Sequence, residues 1–153
     1  MLVATATVIA ACGSTPAQSI PDRATLAREY QQAIPNANAA TYTFQVEAKT
    51  LNPSATVPAF EIASLVAPLV SSIERANSRL LRMSAPPKIM GDIRALVDAE
   101  NLVIKDLKIG PLSDIPSWVQ QVTTDSMKAV AIENIVDADL GLPPYSPPPP
   151  LER

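Results

Sequence analysis

The chain has 153 residues, a net charge of −3 and a pI near 4.9, and 47% of its residues are hydrophobic. That length supports one domain with a real core, and the acidic balance leaves no basic stripe of the kind nucleic-acid binding demands. No His is present and there is a single Cys, which excludes Ser-His-Asp and Cys-His catalysis and His-based zinc sites.

Aromatic content of 4% argues against base stacking or an aromatic sugar platform. Gly occurs four times, and neither a GxGxxG nor a GxxxxGK phosphate loop is present. No motif calls for a cofactor.

In chain order, the first informative stretch is Val8-Ile9-Ala10-Ala11-Cys12-Gly13, an uncharged apolar run that ends in small residues and the lone cysteine. Ile9 to Cys12 is similar to the cleavage-and-lipidation box of bacterial lipoprotein signal peptides. The resemblance implies that Cys12 becomes the lipidated first residue of the mature protein. A secretory signal is usually longer and carries a basic n-region. Here eleven residues without Lys or Arg precede Cys12, which reads as a start placed too far downstream. The competing reading is a short apolar strand with a buried free Cys.

Residues 13–21, GSTPAQSIP, have the composition of a flexible tether. A lipoprotein cysteine carries at least two acyl chains, enough for stable anchoring. No run of 18 apolar residues occurs elsewhere, so no transmembrane helix is expected. The expected divisions are a signal remnant (1–11), lipidated Cys12 with its tether (12–21), a helical domain (22–141) and a Pro-rich tail (142–153).

The 16 prolines punctuate the rest of the chain. Between them lie four segments of helical period. In the first, residues 22–51, the alternation of Tyr42 to Lys49 suggests a strand. Leu26, Tyr30, Ala33, Ala37, Ala40, Phe44, Ala48 and Leu51, however, hold one helical stripe over seven turns. The longer pattern predicts a single helix, kinked near Ile34 by Pro35.

The second helix is predicted over 57–83, capped by Ser54 or Thr56, with a second kink at Pro68. Its stripe is Ile62, Leu65, Leu69, Ile73, Ala76, Leu80 and Met83. The third starts at Pro86-Pro87, presents Ile89, Ile93, Leu96, Val103 and Leu107, and stops at Gly110-Pro111. The fourth follows the cap at Asp114, presents Trp118, Val122, Ala129, Val136 and Leu140, and ends at Gly141 before Pro143-Pro144. Four long helices joined by short loops predict an all-α, up-down-up-down antiparallel four-helix bundle. The tail reads as polyproline II or disordered.

Several short runs carry a further resemblance: Tyr30 and Pro35-Asn36 in the first helix, Ala76 to Leu81, Asp92 to Val97, and Asp139 to Pro144 after the last helix. Together with the lipidation box, the chain resembles a group of small lipoproteins of actinobacteria of the mycobacterial type. The resemblance implies an extracytoplasmic, lipid-anchored helical bundle and carries over no catalytic residue.

Glu100 and Glu133 fall within the apolar stripes of the third and fourth helices. If both point inward they offer a carboxylate-only metal or hydrolase site, although bundle metal sites normally add His at i+3. The plainer reading sets each at a stripe's edge or opposite an Arg. A glycosidase-type dyad needs a cleft, and none is expected in a tight bundle. Arg75, Arg79, Arg82 and Lys88 form either a patch for an anionic headgroup or, with Asp92 and Arg94, a salt-bridge cluster of little energetic weight. Asn77 is placed to bond across helices. Trp118 and Tyr30 are expected in the core, and the proline tail could dock a partner's groove.

The functional expectation is a non-enzymatic interaction or accessory module of the cell envelope. It would be held on the outer face of the membrane through Cys12, with an envelope protein or lipid as partner. The alternatives are a carrier of an apolar or lipid ligand between helices kinked at Pro35 and Pro68, then the carboxylate site.

Overall fold

The computed structural model describes residues 20–48, 50, 58–110 and 114–146. Cys12, its leader, most of the tether, the Ser54 and Thr56 caps and the prolines from 147 onward lie outside the described residues.

Every regular element among the described residues is an α-helix: α1 (Arg23–Ala33), α2 (Pro35–Ala48), α3 (Ala59–Leu80), α4 (Pro87–Ile109) and α5 (Ile115–Leu140). α1 and α2 are separated by Ile34 alone and share the first of four helical spans. The expected single kinked helix is therefore two helices. Pro35 has no N–H to give the Gln31 carbonyl, so one rung of the ladder is missing. The ladder resumes when the Ala37 and Asn38 amides both donate to the Ile34 carbonyl, at 2.9 and 3.2 Å. The strand-like alternation from Tyr42 falls in α2, where Ala37, Phe44 and Ala48 are the buried face. α3 runs uninterrupted through Pro68, which is exposed.

The helix ends follow local chemistry. Asp22 and Asp114 sit in extended backbone and accept from the amides of Thr25 (2.8 Å) and Ser117 (2.7 Å), each satisfying a donor that a first turn leaves orphaned. Pro87 begins α4, where a missing N–H costs nothing. α5 stops at Gly141, which adopts the left-handed conformation at φ 74°. The Arg23 guanidinium then donates to the Ala138 carbonyl at 2.8 Å, setting a cation against the C-terminal end of α5.

The core is two apolar clusters. One joins Ala37, Phe44 and Ala48 of α2, Ile62 to Ala76 of α3, Val103 to Leu107 of α4, and Trp118 and Val122 of α5. The other joins Leu26 to Ile34, Leu80 of α3, Ile93 to Ala99 of α4, and Ala129, Val136 and Leu140 of α5. On α3 the change from one cluster to the other falls at Asn77, and on α4 at Glu100. Polar residues thus interrupt the apolar core near its middle. α4 packs most extensively on α5, and α2 on α3.

Candidate functional site

Burying a carboxylate in an apolar core raises its pKa unless a donor or cation compensates. Two helices do this side by side. α4 brings in Glu100 at the seam between the clusters, and α5 brings in Glu133 between Ala129 and Val136. Both line one cavity of about 340 Å³ among α2, α4 and α5. Its walls are mostly apolar, with Ile73, Val103 and Val130 among them, and its polar groups include Asn38, Asn134 and the two glutamates. Among the described residues, no Lys or Arg lines it.

Glu133 is only 7% exposed, and its partner is the Asn38 side-chain amide of α2, which donates to Oε1 at 3.0 Å. Burial pushes the Glu133 carboxyl up, the Asn38 bond opposes that shift, and the nearby Asp137 carboxylate adds to it. Glu100 has no such donor. Its Oε2 is buried without a hydrogen-bond partner. Burial, with the Glu133 charge second, pushes its pKa up to about 8. At neutral pH Glu100 is therefore largely a neutral carboxylic acid.

A second cavity of about 400 Å³ adjoins the first and shares Asn38, Glu133 and Tyr145 with it. Its walls add Tyr30, Asp137 and the Leu142-Pro143-Pro144 segment that follows α5. Tyr30 is 2% exposed, and its hydroxyl has no hydrogen-bond partner. Burial first, then the charges of Glu133, Asp137 and Glu100, raise the phenol far above its ordinary value, so it stays protonated. Burial also raises Asp137, while the Tyr145 amide works against the shift. That amide donates to Asn134 Oδ1 at 2.8 Å, which seats the end of the chain against α5.

The structure thus brings Glu100 and Glu133 together. The plainer reading set each at a stripe's edge or opposite an Arg; both line the cavity instead, and the partner of Glu133 is Asn38. The expectation that the bundle offers no cleft is overturned, because inward polar side chains leave space that apolar neighbours do not fill. Among the described residues, however, no group of three or more His, Cys, Asp or Glu side chains is arranged to hold a metal ion. Asn38, Asp137 and Tyr145 were not singled out by sequence. Asp137 carried a signal, since it stands four residues after Glu133 and so shares its helical face.

The other expected residues are dispersed. Arg75 donates to Ser72 Oγ, Arg79 to the Gln32 carbonyl and Arg82 to the Ser78 carbonyl, all neutral oxygens. Lys88 forms the expected pair with Asp92 (3.3 Å) and also pairs with Asp139 across to α5. Asn77 is buried and reaches Asn101 of α4 at 3.5 Å. Trp118 fills the core as expected, edge-on to Phe44 with ring centroids 5.8 Å apart, and its Nε1 donates to the Asp106 carbonyl at 2.9 Å. Near it, burial and a hydrogen bond to Asp125 raise Asp106, while Lys128 holds Asp125 down.

A long apolar groove of about 660 Å³ also runs between α3 and α4, past Ile62, Val66, Val70 and Leu107. No helix among the described residues is long and apolar enough to cross a membrane. Comparison with protein-family models, with curated proteins and with solved structures finds no match to this chain.

Proposed function

We propose that this protein is a lipid-anchored, extracytoplasmic helical module of the bacterial envelope that carries a small amphipathic molecule among α2, α4 and α5. The observation that carries the reading is the cavity of about 340 Å³ beside Glu100 and Glu133. Its volume lies within the range of small-molecule sites, and its make-up matches theirs, apolar walls with a few convergent polar groups. A purely structural accessory module needs no such space, and a bundle built only for stability would fill it.

The architecture belongs to the same proposal. We read the four helical spans as an up-down-up-down antiparallel bundle, bent at Pro35 and Pro68. The order of the two core clusters supports this. The first span goes from the Leu26 cluster to the Phe44 cluster, α3 returns, α4 goes out again and α5 returns. The connection from α3 to α4 is also short, residues 81–86. A bend at Pro35 would fall one turn before Asn38, which lines the cavity.

Anchoring rests on the Ile9-Ala10-Ala11-Cys12 box. Expressed in an actinobacterial host, the protein should fractionate with membranes, and Cys12→Ala should move it to the soluble fraction. If the variant still partitions wholly with membranes, the anchor is wrong.

The carrier reading is tested by titrating the protein with straight-chain alcohols in a calorimeter. Hexanol should bind with one-to-one stoichiometry. Ser126→Phe, which places a ring at the cavity wall, should abolish it. Binding unchanged in Ser126→Phe, or no binding to the parent protein, would refute the reading.

A further inference from the structure

We propose that the molecule held in this cavity carries a cationic ammonium head, seated between Glu100 and Glu133, with a short apolar tail along Ile73, Val103 and Val130. This rests on the carrier reading and names the chemical class of its ligand.

Three features converge on that chemistry. Among the described residues, the carboxyl side chains lining the cavity are the two glutamates, and no Lys or Arg joins them. An anionic head would meet the Glu133 charge with no cation beside it among these residues, and like charges at close range repel. A cation meets the opposite balance.

Second, the lining includes two aromatic residues, Tyr42 of α2 and Tyr145 after α5. Carboxylates with aromatic rings are how proteins hold ammonium groups, through charge and through the negative face of the ring.

Third, two buried oxygens stand without a hydrogen-bond partner. One is Glu100 Oε2 at the cavity. The other is the hydroxyl of Tyr30, itself 2% exposed, in the adjoining space that shares Asn38, Glu133 and Tyr145. Leaving buried acceptors unmatched costs free energy. A head group that supplies positive charge or N–H donors at this junction recovers it.

Protonation fits the same picture. Among the described residues, the titratable groups set against Glu100 are Glu133 of α5 and Tyr30 of α1, with Tyr42 and Tyr145 on the same cavity lining, to which α3 contributes Ile73. Not one of these described residues is a cation. An arriving ammonium would draw the Glu100 proton off, so its binding strengthens as pH rises from 6 to 9.

The test compares three six-carbon probes on the 153-residue protein by calorimetry at pH 8: hexylammonium, hexanol and hexanoate. The ammonium should bind at least about tenfold more tightly than hexanol, with hexanoate weakest, as a desolvated cation between carboxylates and aromatic rings requires. Glu100→Gln and Glu133→Gln preserve shape and remove charge. Each should reduce the ammonium affinity about tenfold, since charge-assisted contacts are the stronger ones, and leave hexanol little changed.

Hexanol binding as tightly as the ammonium, or an ammonium preference that survives in both variants, would overturn the head-group assignment and leave the carrier reading standing. If none of the three probes binds, both are overturned. Circular dichroism of each variant separates loss of the site from loss of the fold.

Discussion

Asn38 of α2 donates its side-chain amide to Glu133 of α5 across 3.0 Å, the one direct hydrogen bond that Glu133 receives from a neighbouring helix among the described residues. The bond moderates the cost of burying a carboxylate whose residue is 7% exposed. Asn38→Ala should therefore strand the Glu133 oxygen. Losing one partner of a buried polar pair costs about 1–3 kcal/mol. Urea unfolding at pH 7 should show a loss of that size, and Asn38→Ala in a Glu133→Gln background should cost less.

Glu100 sets a pH dependence of stability. Its folded pKa is raised to about 8 from the ordinary 4.5 of a glutamate. The unfolded chain therefore releases this proton first, and stability falls as pH rises between those values. The contribution is complete below about pH 4.5, declines through pH 8 and is flat above it. Glu100→Gln removes the titration. It should be the more stable protein at pH 9, by on the order of 2–4 kcal/mol, with a difference that shrinks steadily toward pH 5. Thermal unfolding across that range checks the sign.

Gly141 closes α5 in a conformation that side chains avoid, at φ 74°. A Cβ there would also stand 3.1 Å from the Arg23 guanidinium carbon, against the group that bonds the Ala138 carbonyl. Gly141→Ala should destabilise by about 1–2 kcal/mol. Adding Arg23→Ala should relieve the steric part only, leaving the backbone strain measurable in a double-mutant cycle.

Leu80 and Leu81 are neighbours with opposite fates, 0% and 49% exposed. The stripe that runs through Leu69, Ile73, Ala76 and Leu80 turns the first inward. Leu80→Ala should cost about 2–5 kcal/mol, and Leu81→Ala within about 0.5 kcal/mol of nothing. Equal losses would contradict the register of α3.

The helical periods were legible because each apolar stripe outlasts the local ambiguity around it. Tyr42 to Lys49 alternates like a strand, yet the stripe from Leu26 to Phe44 decides the matter, and Phe44 is buried in α2. The caps at Asp114 and Gly141 could be read directly, because both residue types solve a known problem at a helix end. The division at Ile34 was half legible. Pro35 marked the place, but whether a missing rung bends or divides a helix depends on how the neighbouring amides regroup.

The site was legible as two residues and no more. Glu100 and Glu133 stood out for lying in apolar stripes. Asn38, the partner of Glu133, did not, since an amide near a stripe has nothing to mark which distant helix it will meet. The cavity itself is a property of how four surfaces fail to fill a space, and no single stretch of sequence encodes that.

The most direct measurement is native mass spectrometry of the protein purified from a bacterial expression host. The account predicts one organic molecule bound per chain, positively charged in its free form and absent from Ser126→Phe prepared in parallel. A parent protein that carries nothing, or an adduct retained in full by Ser126→Phe, would contradict it.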